Sequence, residues 1–385
     1  MKNRVLILHT SVGYGIKVTA QNIHQALSKS QEFESRIEDI QEVEAGAFVS
    51  ASEKIYTTIL DRISPLWGFL YSSKIVMSLT LPLRKFTASL KSKRTLELLR
   101  EYQPAIVVST QAAPSAVLAH LKSKGLYRGK VVAVFSDYHL HPFWLFDEID
   151  LYVCNIPEQA QQLKAMGVKE ERIAVTGMPL DEKFFKSIDR EEACRQLGLL
   201  TTMPVLLISS GGRARDAVRE LFINFLRSPR SYQIAVVCGK NEYLKKELEK
   251  ISAPDRHPVK IFGYINNMEV VMSAAQVMVG KTGGPTMCEA VVKKLPIILT
   301  DVRPGHEQEN LLYLVKNKIA DYARIPREAV FMAEQVLDGR IRRNWQEIEA
   351  KLIKPPSSLT IVEALGKVKP ATPNVPVKNY QNQAI

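Results

Sequence analysis

Two short stretches carry residue types and spacings from which chemistry can be read: Gly280-Lys-Thr-Gly-Gly-Pro-Thr-Met-Cys-Glu289 and Pro304-Gly-His-Glu-Gln-Glu-Asn310. The first follows the largely apolar run Ala275–Gly280, which reads as a strand, and its Gly283-Gly284 pair reads as a tight turn opening a helix. A helix start presents backbone N–H groups that have no partner within the helix, with the positive end of the helix dipole behind them. That is a site for a diphosphate. Lys281 either assists a departing phosphate or is a surface charge. Glu289, about a turn and a half into the helix, is within reach of a ribose diol. The second stretch follows the apolar run Pro296–Thr300. Its polar side chains, Asn310 among them, suit hydrogen bonding to a sugar. Together the two stretches describe a nucleotide-sugar site.

Three further groups are candidates. Gly13 and Gly15 lie in the turn Ser11-Val-Gly-Tyr-Gly15, which lacks the third glycine of the dinucleotide fingerprint and so speaks against a Rossmann dehydrogenase. In Ser209-Ser-Gly-Gly-Arg213, Gly211 and Gly212 either contact phosphate or form an ordinary strand-to-helix turn, and Arg213 is placed to add a charge-assisted bond to a diphosphate. Asp137 and His141 follow the apolar run Lys130–Phe135. A histidine beside a carboxylate is the usual means of deprotonating a hydroxyl near neutral pH. His139 and His9 read more readily as structural polar residues at strand ends, and Trp144 as a core residue. No Asp-x-Asp motif occurs, and no metal or other cofactor is expected.

The elements that must position these groups are strands alternating with helices. Arg4–Leu8, Ala105–Ser109, Lys130–Phe135, Leu151–Cys154 and Ile173–Thr176 read as one set of strands. The pattern restarts with Pro204–Ile208, Gln233–Cys238, Val259–Phe262, Gln276–Val279 and Pro296–Thr300. Such alternation predicts parallel sheets with helices on both faces, and ligands at the carboxyl ends of the strands, where every motif above falls. The expected organisation is an N-terminal, acceptor-binding domain over 1–185, a C-terminal, nucleotide-sugar domain over 186–365, and a disordered tail over 366–385. The two are doubly wound, Rossmann-like halves facing a cleft.

At 385 residues, 46% apolar and 24% charged, the chain has the composition of a soluble globular protein. The formal charge of +12 predicts an acidic partner. No nucleic-acid module is recognisable, so nucleic acid is not expected. Between Ala51 and Glu101, nine basic residues stand against four acidic ones beside a run of aliphatic and aromatic residues. Arg84–Arg94 alone holds five basic residues and no acidic one. That suits either an interfacial helix on an anionic bilayer or a core helix beside a solvated one. No signal peptide or transmembrane helix is read, so any membrane contact is peripheral. The four cysteines are far apart in sequence and read as buried thiols.

Seven motifs in order carry a resemblance over Arg4 to about Pro326. They are Thr10-Ser-Val-Gly-Tyr-Gly15, Ser136-Asp-Tyr-His-Leu-His-Pro-Phe-Trp144, Thr176-Gly-Met-Pro179, Val237-Cys-Gly-Lys-Asn241, Gly263-Tyr-Ile-Asn-Asn-Met268 and the two stretches above. The chain resembles the diacylglycerol glycosyltransferases, bacterial processive glucosyltransferases and plant-type monogalactosyldiacylglycerol synthases, within glycosyltransferase family 28. More remotely it is similar to the peptidoglycan transferase acting on lipid I. The resemblance implies an α/β GT-B fold and an inverting UDP-sugar-dependent hexosyltransferase acting on diacylglycerol at the cytoplasmic face of the membrane. It implies that Tyr264 and Ile265 meet the uracil, that Thr282, Gly283, Gly284 and Thr286 hold the diphosphate, that Glu289 holds the ribose, and that His306 and Glu307 face the sugar. Relatives usually carry Gln where His306 stands. They also carry the favoured base, a histidine, where Ile16 stands, and isoleucine accepts no proton. The resemblance thus leaves Asp137 and His141 as the catalytic candidates. The alternatives are a relative with another lipid acceptor, or a non-catalytic sensor of nucleotide sugars or lipids.

Overall fold

The computed structural model describes residues 2–10, 14–40, 92–209, 215–303, 305–352 and 357–368. They form two compact units. The first comprises the chain up to Ser136, Leu140–Pro179 and the helix Ser357–Lys367. The second comprises Asp137–His139 and Leu180–Pro356.

The first unit is a six-stranded parallel sheet of β1 (Asn3–His9), β2 (Phe33–Asp39), β3 (Ile106–Ser109), β4 (Lys130–Val134), β5 (Leu151–Cys154) and β6 (Ile173–Val175), in the order β2-β1-β3-β4-β5-β6. Alternate residues of β1 face opposite sides, as strand geometry requires. Leu6 and Leu8 join a core with Leu98, Leu99, Leu118 and Leu121, from the helices Ser92–Tyr102 and Ala112–Ser123. Val5 and Ile7 join the other core with Ile23 and Leu27 from the helix Tyr14–Ser28, and with Ile361 and Leu365 from Ser357–Lys367. Each such side chain, fully buried, contributes about 1.5–3 kcal/mol. Covered on both faces, β3 and β5 are buried at every residue, which is why they read as unbroken apolar runs.

The second unit is a six-stranded parallel sheet of β7 (Val205–Ser209), β8 (Gln233–Val237), β9 (Val259–Phe262), β10 (Val277–Gly280), β11 (Ile297–Leu299) and β12 (Ala320–Tyr322). Its order is β12-β11-β10-β7-β8-β9. The order reverses between β7 and β10, and a ligand crevice in such a sheet opens at the carboxyl ends of the strands at this switch point. β10 can lie close to β7 because its last residue is glycine. A Cβ on Gly280 would fall 2.3 Å from the Ser209 carbonyl oxygen.

Two edge strands, β2 and β12, were not among the expected elements. The division at 185/186 also shifts. Residues 180–185 belong to the second unit, where Phe184 is buried and Lys183 pairs with Glu269. The last described helix returns to the first unit, where Thr360 Oγ1 also donates to Thr176 O at 2.9 Å. Most of the basic stretch and the C-terminal tail lie outside the described residues. Of that stretch, Lys93 and Arg94 are exposed on the helix Ser92–Tyr102, whose Thr95, Leu98 and Leu99 are buried. Among the described residues no helix is long and apolar enough to cross a membrane. All four cysteines are free and buried, and Trp144 packs edge-on against Phe135 in the core.

Candidate functional site

In the second unit, β10 leads through Lys281-Thr282-Gly283 into the helix Gly284–Val292. Gly283 is the N-cap, with no side chain bonding to the first N–H groups, and Pro285 sits in the first turn, where its missing N–H costs nothing. An exposed Gly283 thus leaves the positive end of the helix open to an anion. Thr286 Oγ1 flanks the turn, 3.9 Å from where a Cβ on Gly283 would stand. Thr282 is buried, and its hydroxyl donates to Glu307 O at 3.0 Å. Lys281 is paired with Asp301 at 3.1 Å.

Glu289 is buried on the same helix, and burial pushes its carboxyl up to about 7. Lys183 opposes that rise, while Asp181 and Glu269 add to it. Lys183 Nζ is 3.2 Å from Glu269 Oε2 and 4.0 Å from Asp181 Oδ2, and it also donates to Asn266 O. The Glu289 carboxyl makes no hydrogen bond or ion pair among the described residues. A buried carboxyl in that state is suited to accept from a ligand's hydroxyls. Tyr264 and Ile265 lie in the loop after β9. The Tyr264 ring is 49% exposed, with Lys240 Nζ 5.7 Å from its centroid, and so offers a face on which a base can stack.

A second glycine-capped helix, His306–Lys316, starts beside the first. Its N-cap, Gly305, has φ 99°, a left-handed conformation that favours glycine. His306 is exposed at this start. One carboxylate oxygen of Glu307 accepts the Arg303 N–H at 3.0 Å, and the Thr282 bond to Glu307 O ties the two helix starts together. Asn310 is fully buried. Its amide donates to Asp137 Oδ1 at 2.8 Å and to Thr282 O at 3.2 Å, and its Oδ1 accepts the Tyr138 N–H at 2.9 Å.

Asp137, half-exposed, is held through Asn310 beside the turn before Gly284–Val292. His141 belongs to the first unit, is buried, and its Nδ1 accepts the Phe143 N–H at 3.2 Å. Asp137 itself lies in the second unit. His139 Nδ1 lies 3.8 Å from Glu309 Oε2, and burial lowers its pKa against the opposing pull of Glu309 and Asp137.

In the first unit, Ile16 is half-buried in the opening turn of Tyr14–Ser28, with Gly15 before it, and its carbonyl accepts from Thr110 Oγ1 at 3.4 Å. His9 ends β1, buried, with Nδ1 3.7 Å from Oδ2 of Asp39, its register partner on β2. Gly13, Gly211, Gly212 and Arg213 lie outside the described residues. The groups around Glu289, namely Asp181, Lys183 and Glu269, were missed. Nothing in their spacing links three residues from two distant segments. Tyr138 was overlooked inside a motif already singled out.

The family model for monogalactosyldiacylglycerol (MGDG) synthase matches residues 17–180, and that for the glycosyltransferase family 28 C-terminal domain matches residues 213–339. The processive diacylglycerol beta-glucosyltransferase of Bacillus cytotoxicus is 31% identical over 295 residues, 76% of this chain and 75% of that protein. That of Bacillus mycoides is 30% identical over the same shares. Among solved structures, Acinetobacter baumannii MurG matches with a TM-score of 0.59 at 11% identity, over 96% of this chain and all of that one. A UDP-glucosyltransferase from Polygonum tinctorium matches with a TM-score of 0.60 at 13% identity, over 95% and 98%. At such identities the likeness speaks to the fold alone. With the two parallel six-stranded sheets, it places the chain in the GT-B class expected from the sequence.

Proposed function

Since the chain belongs to the diacylglycerol glycosyltransferase family, that of the monogalactosyldiacylglycerol synthases and processive diacylglycerol glucosyltransferases, we propose that it moves a hexose from a UDP-sugar to diacylglycerol, with inversion, at a membrane surface. The observation that carries this reading is the open N-terminus of Gly284–Val292 with the buried Glu289 on the same helix. A diphosphate at Gly283–Thr286 and a ribose at Glu289 are adjoining parts of one nucleotide. Tyr264 supplies a face for the uracil, and His306 and Glu307 stand at the second helix start for the sugar.

In this mechanism the acceptor hydroxyl gives its proton to Asp137. Its oxygen bonds to the anomeric carbon as the bond from that carbon to the diphosphate breaks, and UDP departs with the electron pair. Charge developing on UDP is met by the open helix N-terminus, whose dipoles are already oriented. Asp137 is the preferred proton acceptor because Asn310 links it to the turn before Gly284–Val292, whereas Ile16 has no acceptor to offer. The exposed Lys93 and Arg94, with the basic residues before them, are read as holding the protein to anionic lipid.

Ile16 favours one other reading, a nucleotide-sugar sensor without turnover. The test is UDP binding measured by calorimetry beside product formation from diacylglycerol and a panel of UDP-sugars. Binding with glycosyl-diacylglycerol formed supports the transferase. Binding without product supports the sensor, and neither activity removes both.

A further inference from the structure

We infer that Asn310 is a positioning residue, holding Asp137 at a set place against the donor turn, and not a contact for the sugar. The inference rests on the reading of Asp137 as proton acceptor. Three observations carry it. Asn310 is fully buried, so no ligand hydroxyl meets its side chain. Both amide protons are used, one on Asp137 Oδ1 at 2.8 Å and one on Thr282 O at 3.2 Å, while Oδ1 takes the Tyr138 N–H at 2.9 Å. One side chain thus spans the candidate base, the peptide after it and the turn that caps the donor helix.

Tyr138 fastens the same tripeptide a second time. Its hydroxyl donates to Gly284 O at 2.8 Å and lies 3.1 Å from Cys288 Sγ. Its ring stacks on Tyr313 with centroids 5.3 Å apart and planes 13° apart. Tyr313 is three residues after Asn310 on one helix, the spacing that puts both on one face. The segment Asp137–His139 is therefore held to both helix starts of the donor region. Asparagine suits the junction because it carries donor and acceptor on one planar group. Aspartate there would set a carboxylate against Asp137, and serine would be too short to reach all three partners.

The reaction needs the base and the anomeric carbon in near-attack geometry, where a displacement of about 1 Å costs about 10²-fold. Binding of UDP needs only the open helix start, the ribose carboxyl and the uracil face, none of which is Asn310. The test is steady-state kinetics on Asn310→Asp and Asn310→Ser, with dioleoylglycerol and whichever of UDP-glucose or UDP-galactose the parent uses, and UDP binding by calorimetry. The expected result is a fall in kcat of about 10²-fold in both variants. Donor KM and UDP affinity should stay within about threefold, which also shows that the variants are folded. Parent-like kcat in either variant overturns the inference. So does a loss of UDP affinity as large as the loss of kcat, which would make Asn310 a binding residue or a purely structural one. Asp137→Asn is measured in parallel. If it keeps full turnover, the base reading itself fails and His9 with Asp39 is next to be tested. If it is inactive while the Asn310 variants match the parent, only the positioning role fails.

Discussion

Replacing Glu289 by Gln should stabilise the unliganded protein at high pH and weaken its hold on UDP. The carboxyl is buried, and its pKa stands at about 7 against an ordinary 4.5. A carboxyl raised on folding contributes stability that is fully present below its unfolded value. That contribution is lost as pH rises through the folded one. From 4.5 to about 7, at 1.36 kcal/mol per pKa unit, the loss by pH 8 is about 3 kcal/mol. Gln cannot ionise and avoids that loss, but a buried amide without partners gives back about 1–2 kcal/mol. A net gain of about 1–2 kcal/mol at pH 8 corresponds to a rise of roughly 2–8 °C in the melting of a domain of this size. At pH 5 the parent carboxyl is already protonated, and the advantage should vanish or reverse. Melting curves of both proteins at pH 5 and pH 8 measure this. Titration with UDP at pH 8 should show the variant weaker by about 1.5–3 kcal/mol, the worth of a charged hydrogen bond. A melting difference that ignores pH would refute the burial argument. Parent-like UDP affinity would remove Glu289 from the ribose site.

Three other outcomes are expected. Asp137→Asn keeps shape and removes charge, so turnover should fall about 10²–10⁴-fold with UDP binding intact, while Ile16→His should leave activity level or raise it; single-turnover assays and UDP titrations check both. Gly280→Ala sets a methyl against the Ser209 carbonyl oxygen, 2.3 Å away, and should destabilise the second unit by about 1–3 kcal/mol or more, read from urea unfolding. Neutralising Arg84, Lys85, Lys91, Lys93 and Arg94 together should reduce sedimentation with anionic vesicles, and added salt should mimic the change in the parent; equal sedimentation would contradict surface attachment.

What was legible in the sequence is what local pattern controls. Strands buried on both faces, such as β3, β5, β8 and β10, stand out as apolar runs, and the glycine turns at their carboxyl ends mark the site. Phe33–Asp39 escaped because it lies at a sheet edge, where Glu34, Arg36 and Glu38 break the apolar run. Ala320–Tyr322 escaped because three residues at the other sheet's edge leave no period to read. The fate of Ser357–Lys367 depends on Ile361 and Leu365 meeting Val5 and Ile7, a contact that sequence distance hides. The site divides in the same way. Gly283, Gly284 and Glu289 follow from one turn and one helix. Thr282, Asn310 and His141 carry side chains suited to ligands, yet Thr282 Oγ1 and the Asn310 amide bond to protein groups, and His141 Nδ1 accepts a backbone N–H. Only the tertiary structure shows which polar groups are already engaged.

The central claim is tested most directly by one reaction. Purified protein is incubated with dioleoylglycerol in anionic mixed micelles and, separately, with UDP-glucose and UDP-galactose. Lipid products are then resolved by mass and the new anomeric linkage by NMR. The account predicts a hexosyl-diacylglycerol with a β linkage, formed together with one UDP per sugar transferred. UDP binding with no lipid product from any UDP-sugar, or a product that keeps the donor's α configuration, would contradict it.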